Sequence, residues 1–376
     1  MPTFYEFFAG GGMARAGLGE GWQCVFANDF DEKKAASYRI NWDGVHLRVG
    51  DVAKLTARDL PSGSADLAWA SFPCQDLSLA GDYAGLQGER SGTFWAFWKL
   101  MRSLTAEQRA PRVIVLENVC GALTSHGGKD FAAIGSALAK AGYRFGAMVI
   151  DAVHFVPQSR PRLFIVAVHA AAEIPRELRL EQPDPLWHTA NVVTAWTGLP
   201  APVKRSWIWW KLPAGGTASS SLADLIEADP ESVDWHSAAE TRRILDMMAP
   251  LHRARVRTVM SHNRPAVGCV YRRTREGVQR AEVRFDGIAG CLRTPGGGSS
   301  RQILLIVEGK RVRSRLLSPR EAARLMGLPD SYRLPARYNE AYHLTGDGVV
   351  VPVVRFLAEH LLEPLLQQTP SAVQAA

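Results

Sequence analysis

Apolar and polar positions alternate in blocks along the first 170 residues. Seven short apolar runs stand out: "TFYEFF" at 3–8, "CVFAN" at 24–28, "VHLRV" at 45–49, "ADLAWAS" at 65–71, "RVIVLEN" at 112–118, "YRFGAMVIDA" at 143–152 and "RLFIVAVH" at 162–169. Helix-length segments at 31–41, 93–104 and 130–141 separate several of them. Strand and helix in alternation predict a mostly parallel sheet covered on both faces. Such sheets take ligands outside the carboxyl ends of their strands, so the residues just past each run are the first candidates for chemistry.

From about Ala170 the rhythm breaks. Prolines cluster at 175, 183, 185, 200, 202 and 213, and tryptophans at 187, 196, 207, 209 and 210. "GGTASSS" at 215–221 reads as a flexible loop. The expected division is a catalytic and cofactor-binding domain at 1–174, a smaller irregular domain at 175–335, and a segment at 336–376 that returns to the first domain. The five tryptophans are expected to form the small domain's core. "VVVPVVRFLAEHLLEPLL" at 349–366 has helical periodicity and would cover an apolar surface.

Composition narrows the class. A chain of 376 residues has room for a large core and two domains. No apolar run reaches the 18 residues of a membrane span, and no basic stretch precedes an apolar one at the start, so neither a span nor a signal peptide is expected. Five widely spaced cysteines suggest neither a disulfide framework nor a zinc pattern, which fits a reducing cytoplasm. The formal charge of +7 is unevenly spread. Between Leu251 and Arg324 stand 17 Lys/Arg against 5 Asp/Glu, and 16 of the 17 are arginines. That segregation points to a polyanion surface.

The strand ends carry the candidate chemistry. Gly10, Gly11 and Gly12 follow the first run and allow a tight turn with close backbone approach to a ligand. Asp29 follows the second run, where nucleotide-binding folds place the acid that holds ribose hydroxyls, and Asp51 follows the third. The glycine spacing does not match a dinucleotide fingerprint, which favours an adenosine ligand without pyrophosphate. Cys74 and Glu117 end the fourth and fifth runs, which an open sheet makes neighbours. Pro73 lacks an N–H and has a fixed φ, so it can stiffen the turn that aims Cys74. Arg160 and Arg162 open the seventh run and could bring positive charge to the pair, where a thiol becomes a thiolate more readily.

In this order the motifs resemble the DNA (cytosine-5)-methyltransferases of bacterial restriction-modification type. "FFAGGGM", "ANDFD", "GDV", "SFPCQ", "LENV" and "QSRPR" are followed by a variable region and then by "RLLSPREAARLMGLP" at 315–329. The resemblance implies a Rossmann-like, S-adenosylmethionine-dependent methyltransferase sheet and a smaller target recognition domain. It implies that Phe8, Ala9 and the glycine turn at 10–12 hold S-adenosyl-L-methionine, with Val52 and Pro73 nearby. Asp29 would take its ribose hydroxyls, Phe30 would pack on its adenine, and Asp51 would bind the adenine amino group. Cys74 would be the nucleophile with Gln75 beside it. Glu117 would contact ring nitrogen 3 and the amino group of the target cytosine. Arg162 would contact the base and help organise Glu117, with Arg160 in the same catalytic set. Residues 75–92, with Ser78 and Arg90, would form the loop that closes over double-stranded DNA. Arg253, Arg255, Arg257, Arg272, Arg273, Arg275, Gly297 and Gly298 would meet DNA from the recognition domain. A monomer is expected, with a cognate nuclease as a functional partner.

Two positions depart from the family pattern. Glu6 stands where the family usually has aspartate, and Gly346-Asp347-Gly348-Val349 stands where it usually has Gly-Asn-Ser-Val, which brings a carboxylate, Asp347, toward the cofactor. Methylation of cytosine in RNA and a silent DNA-binding scaffold are the competing expectations. The basic block argues against the first, and intact Cys74, Glu117 and Arg162 argue against the second.

Overall fold

All seven apolar runs form strands: β1 (Thr3–Phe7), β2 (Gln23–Asp29), β3 (Leu47–Val49), β4 (Leu67–Ala70), β5 (Val113–Val119), β6 (Tyr143–Asp151) and β7 (Pro161–His169). The structure is a computed structural model, and it describes residues 1–73, 92–216, 220–262, 264–275, 277–293 and 301–367. The strands make one sheet in the order β3-β2-β1-β4-β5-β7-β6. β1 pairs in parallel with both β2 and β4, β4 in parallel with β5, and β7 runs antiparallel to β5. The chain builds outward from β1 to β3, then returns to the other side of β1 as β4. That reversal opens a crevice at the carboxyl ends of β1 and β4, where this class of sheet binds ligands.

Sequence explains the covering helices. In α1 (Met13–Leu18), Met13, Ala14, Gly17 and Leu18 are buried. α2 (Glu32–Trp42) starts at Asp31, whose carboxylate accepts the N–H groups of Lys33 and Lys34 and so satisfies two donors of the first turn. α3 (Thr93–Ala106) buries Phe94, Phe97, Trp98, Met101 and Leu104, the spacing of one helical face. α4 (Lys129–Lys140) buries Phe131, Ile134 and Leu138 in the same way. Every residue of β4 is buried, as its unbroken apolar run requires.

The chain divides into two compact units. The first holds residues 1–150, 161–214 and the chain from 353 onward; the second holds 151–160 and 215–352. The five tryptophans belong to the first unit and not, as expected, to the smaller one: Trp187, Trp209 and Trp210 are buried, and Trp196 and Trp207 pack half-buried against its core. The reason is edge protection. Ile208 donates its N–H to Phe145 O, and Phe145 donates to Ser206 O, so the segment pairs with β6 at the rim of the sheet. The short strands β8 (Arg179–Leu180) and β9 (Trp209–Trp210) pair, and the Trp210 indole donates to Val166 O at 3.2 Å. The expected C-terminal helix is present as Val351–Leu357, a wider π turn at Ala358–Leu362, and Glu363–Gln367. Arg355 donates to Leu18 O at 2.7 Å and Glu363 accepts from the Trp22 indole at 3.0 Å, so this helix locks onto the start of the chain.

The second unit carries regular structure that periodicity did not reveal. An antiparallel sheet runs β11-β10-β12-β13, from β10 (Ala266–Arg275), β11 (Val278–Arg284), β12 (Ile303–Glu308) and β13 (Arg311–Leu316). Ile244 and Val256, from the helices Ala238–Asp246 and Pro250–Ser261, pack on Val270, Val283 and Leu305. Arg315 and Glu321 form a fully buried bidentate ion pair at 2.6 and 2.8 Å. Among the described residues no helix is long and apolar enough to cross a membrane.

Candidate active site

The turn after β1 is built around left-handed backbone. Phe8, Gly10 and Gly12 have φ of 58°, 55° and 78°. For glycine this costs nothing steric, whereas for Phe8 it marks a conformation the surroundings must enforce. They do so with hydrogen bonds. Ala9 N–H donates to Asn28 O at 2.9 Å, Gly12 N–H to Ala9 O at 2.8 Å, and Gly10 N–H to Asp29 Oδ2 at 2.7 Å. Asp29 Oδ1 accepts from Asp31 N–H at 2.8 Å. Burial raises the Asp29 carboxyl above its ordinary range, and these backbone donors pull the other way.

The neighbouring strand ends are tied into the same assembly. Asn28 donates its side-chain amide to Arg48 O and Gly50 O at 2.9 and 3.0 Å. Gly50 N–H donates to Asp29 O, which sets Asp51 beside the end of β2. Asp51 accepts from Ala53 N–H at 2.9 Å, and Val52 turns into the core at 3% exposure. Phe30 is 77% exposed, an open aromatic face next to a buried carboxylate. A Cβ placed on Gly10 would meet nothing within 4 Å, so the turn borders open space. An exposed ring, carboxylates at two strand ends and an open glycine turn suit an adenosine with its ribose hydroxyls.

Beneath the turn, Glu6 is buried. Its Oε1 accepts from Arg15 N–H at 3.2 Å, and its Oε2 has no hydrogen-bond partner among the described residues. Burial pushes this carboxyl up to about 8, against the pull of Arg15. Cys24 and Tyr38 stand near it, and burial followed by the Glu6 charge raises both.

The second half of the site lies at β4, β5 and β7. Ala70 and Leu116 are register partners, so the chain leaving β4 toward Cys74 runs beside the end of β5. Phe72 is 4% exposed and packs on Phe94 with ring centroids 5.4 Å apart. Asn118 donates to Phe72 O at 3.2 Å. Glu117 is 7% exposed, and Arg162 Nε lies 3.4 Å from its Oε1. The antiparallel register puts Arg162 opposite Val119, on the same face as Glu117. Pro73 is half-buried. Cys74, Gln75, Ser78 and Arg90 lie outside the described residues.

Arg160 is tied into the second unit. It is 2% exposed, in the second unit, and its guanidinium donates to Leu292 O, Gly346 O and Gly348 O at 2.8 Å each, with Cys291 Sγ at 3.4 Å. It fastens two distant stretches of that unit together. Asp347 is the last residue of the helix Tyr338–Asp347, in the same unit.

The arginines of the second unit differ among themselves. Arg253 donates to Met248 O and Asp246 O at 2.9 and 2.6 Å, and Arg255 donates to Val283 O at 3.2 Å. Arg257 is exposed on the helix Pro250–Ser261. Arg273 stacks over Tyr271 at 4.7 Å, 3.8 Å from Glu282, and Arg272 is half-buried beside it in β10. Gly297, Gly298 and the side chain of Arg275 lie outside the described residues. Sequence reasoning missed a cavity of about 720 Å3 lined by Arg242, Arg243, Arg253 and Arg280 over Met247 and Met248. It also gave Asn28 and Asn118 no role, although both stand at strand ends where an amide can bridge to the next chain segment.

Comparison with known proteins gives a consistent answer. The family model described as C-5 cytosine-specific DNA methylase matches residues 2–363. The type II methyltransferase M.DsaV of Dactylococcopsis salina is 27% identical over 96% of this chain and 85% of its own length. M.HhaI of Haemophilus parahaemolyticus is 24% identical over 95% of this chain and 93% of its own. Among solved structures, the Dnmt2 methyltransferase of S. pombe superposes with a TM-score of 0.63 at 18% identity, over 97% of this chain and 99% of that one.

Proposed function

Because this chain belongs to the C-5 cytosine-specific DNA methylase family, it methylates DNA at cytosine carbon 5 with S-adenosyl-L-methionine as methyl donor, and we propose that it does so through base flipping and a covalent Cys74 adduct. The observation that carries this reading is the buried Glu117 carboxylate with Arg162 3.4 Å away, beside the strand end that leads to Cys74.

Carbon 5 of cytosine is too weak a nucleophile to take a methyl group unaided. The Cys74 thiolate adds to carbon 6, and the ring's electrons move toward carbon 5 and ring nitrogen 3. Glu117, held by Arg162 and carrying the proton, donates a hydrogen bond to ring nitrogen 3 and so stabilises the negative charge that builds there. The donor supplies an electrophilic sulfonium methyl when bound. Once carbon 5 carries the methyl, its proton leaves to a base, the carbon–sulfur bond breaks, and Cys74 is restored as thiolate. Asp29, Phe30, Asp51, Phe8, Ala9 and the glycine turn would hold the adenosine, with Val52 and Pro73 behind them. Arg160 would serve by holding residues 291–292 and 346–348 in place, and Asp347 with them.

The target base lies inside a duplex stack, and turning it out costs a few kcal/mol. The second unit, whose main stretch is 215–352, would offset that cost as the target recognition domain. Arg242, Arg243 and Arg280 join Arg257 as candidates for phosphate, while Arg253 and Arg255 have already given donors to backbone carbonyls. Relatives bear the name type II methyltransferase, so a nuclease cutting the same double-stranded sequence would be a functional partner of a monomeric, cytoplasmic enzyme.

Bisulfite sequencing of DNA from cells expressing the protein tests the reading, and conversion-resistant cytosine in one short sequence context is expected. Duplex DNA carrying 5-fluorocytosine at that site should trap a covalent complex with the wild type and none with Cys74→Ala. Methyl transfer by Cys74→Ala would overturn the proposal.

A further inference from the structure

The glycine turn after β1 has a partner that the cofactor reading leaves unused. Trp42 is the last residue of α2, eleven residues beyond the Asp31 cap. Its indole N–H donates to Gly11 O at 2.9 Å. Gly11 and Gly12 are buried, so this carbonyl is one whose satisfaction matters. The ring also occupies the space that a side chain at Gly12 would need: a Cβ there would come within 2.2 Å of the Trp42 Nε1. The Arg15 guanidinium also lies over the ring, 4.9 Å from its centroid.

The consequence follows from the planarity of the peptide. The Gly11 carbonyl and the Gly12 N–H belong to one rigid trans unit. Trp42 holds its oxygen, and Ala9 O holds its N–H at 2.8 Å. With both ends fixed, the plane cannot rotate, and the torsions on either side of it, ψ of Gly11 and φ of the left-handed Gly12, lose their freedom to wander. α2 therefore serves the pocket at both ends. Its first turn follows Asp29 and Phe30, and its last residue returns to the glycine turn, about 16 Å along at 1.5 Å per residue.

We propose that Trp42 is a positioning residue for S-adenosyl-L-methionine, fixing the Gly11–Gly12 peptide in the conformation that the adenosine side of the pocket requires. It touches neither donor nor base. Its effect is preorganisation: the turn is ordered before the ligand arrives, so binding does not have to order it. The inference rests on the cofactor assignment of this turn.

The test is Trp42→Phe, which keeps an aromatic ring against Gly12 and removes the indole N–H. Titration calorimetry with S-adenosyl-L-methionine, and separately with S-adenosylhomocysteine, should show Kd raised about five- to tenfold for both, the scale of having to order one peptide of the turn on binding. The KM for the donor should rise by a similar factor, while kcat at saturating donor and the Kd for duplex DNA stay within about twofold. A Kd for both ligands within twofold of wild type, with or without a lower melting temperature, would overturn the inference. So would a fall in kcat with the donor Kd unchanged. If Trp42→Phe does not fold, Trp42→Met also lacks the donor and serves with the same outcomes. Wild-type protein that binds neither ligand would instead sink the cofactor assignment, so the two failures are told apart.

Discussion

Asn118 binds Phe72. The side-chain amide at the end of β5 donates to a main-chain oxygen two residues before Cys74, at 3.2 Å, and both residues are buried. The contact fixes the departure of the chain from β4 relative to the strand that carries Glu117. In the proposed mechanism Cys74 and Glu117 act on one ring, which requires their spacing to be set to within a fraction of an ångström.

Asn118→Ala should therefore damage catalysis more than folding. Leaving Phe72 O unmet costs about 1–3 kcal/mol of stability. The single-turnover methylation rate should fall at least tenfold, with duplex affinity unchanged by filter binding. A normal rate in a folded variant would show that the tether has no catalytic part.

Glu117→Gln keeps the shape of the side chain and removes its ability to carry a proton. Loss of a positioned acid lowers rates by about 10²–10⁴, which single-turnover kinetics would register. Arg162→Lys keeps the charge but loses the planar fork, and should cost about tenfold, with the loss confined to kcat if its task is to orient Glu117. The double variant should be less than additive, because both act on one interaction.

Glu6 makes stability depend on pH in an unusual direction. Its carboxyl sits at about 8 in the folded chain, against an ordinary value of 4.5. Between those values the folded state holds a proton that the unfolded state has released. The contribution is whole below pH 4.5 and is lost as pH rises toward 8. The melting temperature should fall over that range, measured by calorimetry in matched ionic strength. In Glu6→Gln the fall should be smaller, since the amide stays neutral and can still accept from Arg15 N–H.

The Arg315–Glu321 pair is worth little as an attraction and a good deal as a mutual cover. Both side chains have 0% exposure. Glu321→Ala strands a buried guanidinium and should destabilise the second unit by about 3–5 kcal/mol. Arg315→Met with Glu321→Leu should recover most of that loss. Denaturant melts followed by tryptophan emission would measure both.

The large sheet was legible in the sequence because its central strands are buried on two faces and announce themselves as apolar runs. β5 is an example: Val113 to Asn118 are all buried, and the run "RVIVLEN" marks it to within a residue. What periodicity cannot report is who pairs with whom. Nothing in "RLFIVAVH" says that β7 slips between β5 and β6 and runs backward, yet that placement is what brings Arg162 to Glu117. The small sheet escaped notice for a different reason. β11 alternates buried Ala281 and Val283 with half-exposed Arg280, Glu282 and Arg284, and one solvated face full of arginine hides the strand pattern. The tryptophans misled because their crowding signals a core without saying whose. Asn118 and Trp42 were invisible as functional residues because their value lies in a single backbone oxygen, and which oxygen a side chain will reach is settled only by the tertiary fold.

The helix at 351–367 locks onto Leu18 and Trp22, residues made more than 300 positions earlier. At roughly 5–20 residues per second, ribosomes deliver that helix tens of seconds after the strands it covers. Throughout synthesis the apolar ground beneath it lies bare. The nascent protein is thus kept from a finished first unit until this helix emerges, and a transcript broken short of it yields a polypeptide fit for chaperones and proteases and not for DNA.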